Sequence, residues 1–148
     1  MILSFLEFRT NHYYLINTDP DSLTMSEAQD LCSNRGGHLA MLRGENEWKL
    51  VEAVKTDAFW AWIGLVYMGK DQKYRWIDGT DVNGDFSWLA SNRRPTIPDN
   101  QKDYCFRFSQ KSKVHPVSCS DRGKHAVCQI KSKSILLLSW TSAAIKTF

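Results

Sequence analysis

The four cysteines offer the most reactive chemistry in this sequence. They stand at positions Cys32, Cys105, Cys119 and Cys128. Cysteines serve as nucleophiles, as zinc ligands or as disulfide partners. Zinc is disfavoured because no Cys-x-x-Cys pair occurs in the chain. An even number of cysteines instead predicts two disulfides formed in an oxidising compartment, and the sequence by itself leaves all three pairings open.

A histidine beside a cysteine could activate a thiolate, and His115 precedes Cys119 closely in the sequence. A disulfide at Cys119 would remove that thiolate, and no oxyanion or base pattern accompanies the pair. We therefore predict that the chain is not an enzyme. The spacing of the histidines does not match a metal site either; they are His12, His38, His115 and His125.

Positive charge is concentrated in the second half of the chain. Residues 1–90 carry 8 Lys+Arg and 13 Asp+Glu, a net charge of −5, whereas residues 91–133 carry 10 Lys+Arg and 3 Asp+Glu, a net charge of +7. This asymmetry favours an acidic partner, attracted by a screened electrostatic field, although scattered solubilising lysines are an alternative explanation. Nucleic acid is not predicted, because no nucleic-acid-binding module accompanies the charge. The basic residues are Arg93, Arg94, Lys102, Arg107, Lys111, Lys113, Arg122, Lys124, Lys131 and Lys133.

The length of 148 residues predicts one domain with a substantial core. No window approaches the roughly 18 apolar residues that a membrane-spanning helix needs, so no membrane insertion is predicted. The first residues, Met1 to Leu6, lack the basic start of a secretory signal, and charged residues follow at once. Because two disulfides nevertheless favour an oxidising compartment, we expect a signal to be missing from this sequence or the chain to be part of a longer protein.

The run from Phe59 to Leu65 is short, apolar and aromatic, which predicts a buried strand. Gly64 within it would let another backbone approach closely. With one cysteine before it and three after it, Trp62-Ile63-Gly64-Leu65 resembles the central core strand of the C-type lectin-like domain in its short four-cysteine form. Residues 28–40 resemble the first-helix signature of that family, and residues 74–79 resemble its aromatic-x-Trp-x-Asp-Gly segment.

The resemblance implies an α+β fold with two helices flanking small antiparallel sheets and a long irregular loop region that binds ligands. It selects the disulfide pairs Cys32–Cys128 and Cys105–Cys119. It covers residues 10–130, so we predict that residues 1–9 are an N-terminal extension and that residues 131–148 are a C-terminal tail, linker or edge strand. A capping-box pattern begins the first helix at Thr24, and Gly36-Gly37 ends it. Further elements are predicted at 12–16, 46–55, 104–108, 114–119 and 125–130.

The calcium site of the family is only partly present. Calcium takes roughly six to eight oxygen ligands, so several side-chain oxygens must converge. Where the family has its ligand tripeptide, this chain has Ile97-Pro98-Asp99, and an acid is kept at Asp103. Where the family has Trp-Asn-Asp, the chain has Val114-His115-Pro116. We therefore predict no cofactor and no calcium site of the usual kind; a non-standard site using Asp99, Asp103 and Asn100 is the alternative.

These observations predict a non-enzymatic extracellular recognition module, secreted or at the cell surface. Its expected ligand is a glycan, with anionic glycans favoured, or a protein partner. Two alternatives are a calcium-dependent lectin with an altered site and an interaction domain of a larger receptor that binds no sugar. The predicted ligand-binding residues at the long-loop face are Arg93, Arg94, Asp99, Asn100, Lys102, Arg107 and His115.

Overall fold

Two α-helices and seven β-strands make up the described part of the chain. The computed structural model describes residues 7–17, 21–54, 60–82, 86, 89–109 and 113–135, without the side chains of 7–11, 53–54 and 131–135. Lys111 and residues 1–6 and 136–148 lie outside this part. In chain order the elements are β1 (Glu7–Asn17), α1 (Met25–Asn34), β2 (His38–Leu39), α2 (Glu45–Val54), β3 (Ala61–Met68), β4 (Lys73–Trp76), a 3-10 turn (Ser91–Arg93), β5 (Tyr104–Phe108), β6 (Val114–Val117) and β7 (His125–Ile135).

The strands form one connected sheet in the order β1-β7-β3-β5-β6, with β2 paired to β7 and β4 paired to β3. The pairing of β3 with β4 and β5 is antiparallel, whereas its short pairing with β7 is parallel. The predicted α+β class, with two helices and strands that are mainly antiparallel, is confirmed. Residues 13–129 form one compact unit, and the outer parts of β1 and β7 belong to a second.

Strand β3 is buried on both faces, which explains why its sequence is almost continuously apolar. Alternate side chains point to opposite faces of a strand. Ile63 and Leu65 accordingly join a core cluster that also contains Trp48 of α2. Trp62 joins a second cluster with Ala28 of α1. The central strand therefore separates two apolar cores, each covered by one helix.

Gly64 is the point at which β3 meets two other segments of backbone. Its N–H donates to the carbonyl of Ala40 at 2.7 Å, and its own carbonyl accepts from the N–H of Ile77 at 2.8 Å. A Cβ at this position would lie 2.9 Å from the carbonyl oxygen of Leu39 and 3.1 Å from that of Ala40. The close backbone approach predicted from the glycine is therefore present.

Both predicted disulfides are confirmed. Cys32–Cys128 joins α1 to β7 with Cα atoms 5.5 Å apart, and Cys105–Cys119 joins β5 to the turn after β6 with Cα atoms 4.9 Å apart. The two bridges close loops of 96 and 14 residues. On the chain-entropy view the longer one stabilises the fold more, by about 4–5 kcal/mol against about 3 kcal/mol.

Helix α1 begins with the capping box that the sequence predicted. The N–H of Glu27 donates to the Thr24 hydroxyl at 3.2 Å, and the Glu27 carboxylate accepts from the N–H of Thr24 at 2.9 Å. The hydrogen bonds that the Glu27 carboxylate accepts from the N–H and hydroxyl of Thr24 hold its pKa below the ordinary value, with the Arg122 guanidinium contributing further. Arg122 also donates to the carbonyl of Ser22, so the segment before β7 is fixed to the start of this helix.

Candidate functional site

The turn from Asp99 to Asp103 leads directly into β5, and local hydrogen bonds set its shape. The N–H of Gln101 donates to Asp99 Oδ1 at 3.0 Å, and the N–H of Lys102 donates to the Asp99 carbonyl at 3.1 Å. Asn100 Oδ1 accepts from Gln101 Nε2 at 3.2 Å. One carboxylate oxygen of Asp99 and the amide oxygen of Asn100 are therefore engaged within the turn itself.

The same turn is fixed against the end of β3. Asp103 Oδ1 accepts from the N–H of Gly69 at 2.8 Å, and the Tyr67 hydroxyl donates to the carbonyl of Asn100 at 3.2 Å. A Cβ on Gly69 would lie only 2.3 Å from the carbonyl oxygen of Gln101, so glycine is needed for the two backbones to approach this closely. Asp103 thus connects the turn to the central strand.

The donor set at this turn does not fit a calcium ion of the expected kind. Asp99 and Asp103 each have one carboxylate oxygen hydrogen-bonded to a backbone N–H, and Ile97 contributes no side-chain oxygen. His115 and Pro116 lie on β6 and offer no carboxylate or amide oxygen either. Among the described residues, no group of three or more His, Cys, Asp or Glu side chains could hold a metal ion.

The two arginines of the loop are occupied by contacts within the protein. Arg93 lies in the 3-10 turn, and its Nη1 atom is 3.5 Å from the Glu52 carboxylate on α2. Arg94 donates from Nε to the carbonyl of Leu89 at 2.7 Å. Lys102 differs from both, because it is exposed on the 99–103 turn and forms no ion pair with the described carboxylates.

Arg107 of β5 lies on a different part of the sheet. Its guanidinium carbon is 4.5 Å from the centroid of the buried Trp62 ring, and its Nη2 atom donates to the carbonyl of Arg122 at 2.8 Å. The Nε atom is buried and has no hydrogen-bond partner. Burial lowers the pKa of this guanidinium, and the nearby carboxylate of Asp121 opposes the shift. The cation therefore lies over an aromatic ring, in a cation–π contact.

His115 of β6 lies directly across from Arg107 in the β5–β6 pairing. Its ring stacks at a tilt on Trp60, with centroids 4.5 Å apart and ring planes at 58°. Burial lowers the pKa of His115, and the neighbouring positive charge of Lys113 lowers it further. Trp60 itself is 44% exposed, in contrast to Trp62, which is 1% exposed.

The predicted ligand-binding residues therefore fall in three places. Asp99, Asn100 and Lys102 share the turn before β5, while Arg93 and Arg94 occupy the 3-10 turn. The third place brings together Arg107 and His115 on the sheet. Among the other basic residues, Lys131 and Lys133 belong to β7, where side chains are not described. The candidate nucleophile Cys119 is bonded to Cys105.

A comparison with known families matches residues 21–130 to the Lectin C-type domain. The chain belongs to the C-type lectin domain family. The match includes α1, the central strand and all four cysteines of this lectin domain, which are the features that carried the resemblance in the sequence.

Curated relatives cover most of this lectin domain. It is 34% identical over 131 residues to mouse C-type lectin domain family 4 member G, a match covering 87% of this chain and 42% of that protein. It is 30% identical over 113 residues to rat killer cell lectin-like receptor subfamily B member 1A, covering 76% of this chain and 47% of that protein. The chain thus spans less than half the length of these two relatives.

A solved structure shows the same fold. The cow C-type carbohydrate-recognition domain of CD23, determined in the presence of a GlcNAc2Man3 oligosaccharide, aligns with a TM-score of 0.65. The alignment covers 84% of this lectin domain and 91% of that chain at 18% identity, so it supports the fold alone. In the described part of the lectin domain, no helix has the length and apolar character needed to cross a membrane.

Trp60 is the residue of this site that sequence reasoning missed. The sequence predicts burial for Trp60, because its aromatic side chain matches the apolar run in which it lies. A signal was nevertheless present, since strand alternation places Trp60 on the same face as Trp62, at the end of the strand where burial stops. An aromatic residue at the exposed end of a buried strand is therefore a useful marker of a surface contact.

Proposed function

We propose that this lectin domain is a non-enzymatic extracellular recognition module that binds anionic glycans without the usual calcium site. The observation that carries the proposal is the donor set around the 99–103 turn. Two of its acids, Asp99 and Asp103, serve the local backbone, and Ile97 and Pro116 stand where oxygen ligands are needed. A ligand must then be held by other groups.

Charge supports an acidic ligand. Residues 91–133 carry a net charge of +7, against −5 for residues 1–90. A basic surface attracts sulfated or sialylated glycans through long-range attraction, which salt screens within about 10 Å at 0.1 M. Membership of a family that includes named lectins and receptors supports recognition rather than catalysis.

A glycan array that includes neutral, sulfated and sialylated members tests this function. The array is probed with calcium, with EDTA and then with EDTA at high salt. We expect binding to anionic members that survives EDTA and is lost at high salt, because charge attraction is screened while no metal is removed. Binding abolished by EDTA would instead support a calcium-dependent lectin with an altered site. No binding to any glycan on the array would favour an interaction domain that recognises a protein.

A further inference from the structure

Four side chains form a surface cluster at the β6 edge of the sheet, and we call them the Trp60 cluster. Trp62, Arg107 and His115 occupy one row across β3, β5 and β6, because each is directly opposite the next in the strand register. Residues opposite each other share a sheet face. Trp60 and Lys113 lie on this same face, each separated by one residue from a member of the row. The cluster consists of Trp60, Arg107, Lys113 and His115.

The cluster combines an exposed aromatic ring with cations. Trp60 is 44% exposed and rests on His115, whose ring centroid is 4.5 Å away. The Arg107 guanidinium lies over Trp62 and donates to the carbonyl of Arg122, so it is oriented before any ligand arrives. Lys113 is close enough to His115 to lower the pKa of that imidazole, which places another positive charge beside the ring. Asp121 is the carboxylate that acts on Arg107.

Arg107 differs from the loop residue Arg93 in its contacts. Arg93 is ion-paired with Glu52, so an acidic ligand there would have to compete with a carboxylate of the protein itself. Within the described residues, Arg107 donates one hydrogen bond, to the carbonyl of Arg122, and has no carboxylate within ion-pair distance. The cluster therefore suits a ring that carries an acidic group. The exposed tryptophan can pack against the ring, and the oriented arginine and the lysine can bind the acidic group.

We infer that the Trp60 cluster is the site at which this lectin domain binds a sulfated saccharide, with the sugar ring packed on Trp60 and the sulfate held by Arg107 and Lys113. This inference rests on the proposed function and deepens it by naming the site and the ligand class. It moves recognition from the 99–103 turn to the edge of the sheet.

Binding of a heparin oligosaccharide, measured by calorimetry in EDTA at low salt, tests the inference. We expect Trp60→Ala and Lys113→Ala each to weaken binding by about five- to tenfold, since aromatic and charged contacts of this kind are of that size. Two matched controls lie outside the cluster. Leu50→Ala removes an exposed apolar side chain of α2, and Lys70→Ala removes an exposed lysine of the turn after β3. We expect both to bind like the unmodified protein.

Arg107→Lys separates charge from geometry. Lysine keeps the positive charge but loses the planar fork that lies over Trp62, so we expect weaker binding although the net charge is unchanged. Far-ultraviolet circular dichroism and the urea midpoint of each variant show whether the fold is intact. If Trp60→Ala disturbs the fold, Trp60→Phe replaces it, because a smaller ring retains the packing while reducing the stacking surface.

The possible results distinguish failure of the proposed binding site from failure of the proposed function. Heparin binding that is unchanged in the cluster variants but lost in Lys102→Ala would overturn the inference and leave the proposed function standing. Equal binding of fully desulfated heparin would overturn the role of sulfate. Equal binding of poly-glutamate would show that charge alone is recognised and would overturn the saccharide site. Failure of the unmodified protein to bind any anionic glycan would overturn both proposals.

Discussion

Gly64 is the residue at which the central strand admits no side chain. A Cβ there would lie 2.9 Å from the carbonyl oxygen of Leu39 and 3.1 Å from that of Ala40, and this backbone cannot withdraw without moving the core. We expect Gly64→Ala to lower the free energy of unfolding by about 1–3 kcal/mol, as overpacking usually does. Urea denaturation monitored by tryptophan fluorescence measures this change.

Gly44→Ala is the matched control for that substitution. A Cβ on Gly44 would meet only the Glu47 Oε1 atom, at an ordinary 3.4 Å. Because Gly44 immediately precedes α2, we expect a loss of about 1 kcal/mol or less, the usual effect of alanine at a helix start. Equal losses for the two variants would contradict the explanation by close backbone approach.

His115 should make stability depend on pH in one direction. Burial and Lys113 lower the pKa of His115 in the folded protein from its ordinary 6.5. Between the folded and unfolded pKa values the unfolded chain binds more protons, so the free energy of unfolding rises with pH in that window. Stability from this group is therefore present above about pH 6.5 and is lost as the pH falls towards the folded pKa.

The contribution of His115 is measured as a difference between two proteins. Urea denaturation at several pH values is compared for the unmodified protein and for His115→Gln, whose side chain does not titrate. Below pH 6.5 we expect the unmodified protein to lose free energy of unfolding relative to His115→Gln. A proton NMR titration should place the midpoint of this imidazole below 6.5. A midpoint above 6.5 would contradict the direction in which burial and Lys113 shift the pKa of His115.

Helix α1 depends on the cap at its first turn. Thr24 accepts from the N–H of Glu27 and completes a capping box, so we expect Thr24→Ala to cost about 1 kcal/mol of stability. Ser26→Ala provides the control, because Ser26 is exposed within the same helix. The difference between the two urea midpoints reports the cap, and equal midpoints would mean that α1 is held by packing and the Cys32 disulfide alone.

The elements with strong local signals were predictable from sequence. Thr24, Glu27 and the Gly36-Gly37 pair define α1 almost to the residue, and β3 follows from its apolar run. Strand β7 was predicted to end at residue 130 but continues to Ile135. The added residues are mostly lysine and serine, which favour strands weakly, so pairing in the sheet must determine the structure there.

The residue types at the candidate site can be read from the sequence, but their arrangement cannot. The prediction that the usual calcium ligands are missing needs the sequence alone, because Ile97 and Pro116 have no side-chain oxygen. The sequence does not show which arginines are engaged in contacts within the protein. Glu52 is 41 residues before Arg93 in the chain, and the pairing of His115 with Trp60 depends on strand register, so both contacts require the folded sheet.

The whole domain should be indifferent to calcium. A ligand that binds only the folded state stabilises it by about 2.7 kcal/mol at one hundred times its Kd, so a real calcium site would raise the melting temperature. We expect the melting temperature to agree in millimolar calcium and in EDTA, since the acids of the 99–103 turn are committed to the backbone. Differential scanning fluorimetry detects this, with magnesium as the control for ionic effects. A rise specific to calcium would contradict the prediction.

The hydrogen bond from Gly69 to Asp103 changes how mutagenesis at this position must be interpreted. Replacing a loop acid with alanine and observing lost activity is the customary evidence that the acid binds a metal. Here Asp103→Ala would release the turn from the central strand, where Gly69 and Gln101 are in close contact. Loss of activity in this variant would therefore not distinguish a lost metal ligand from a loosened scaffold.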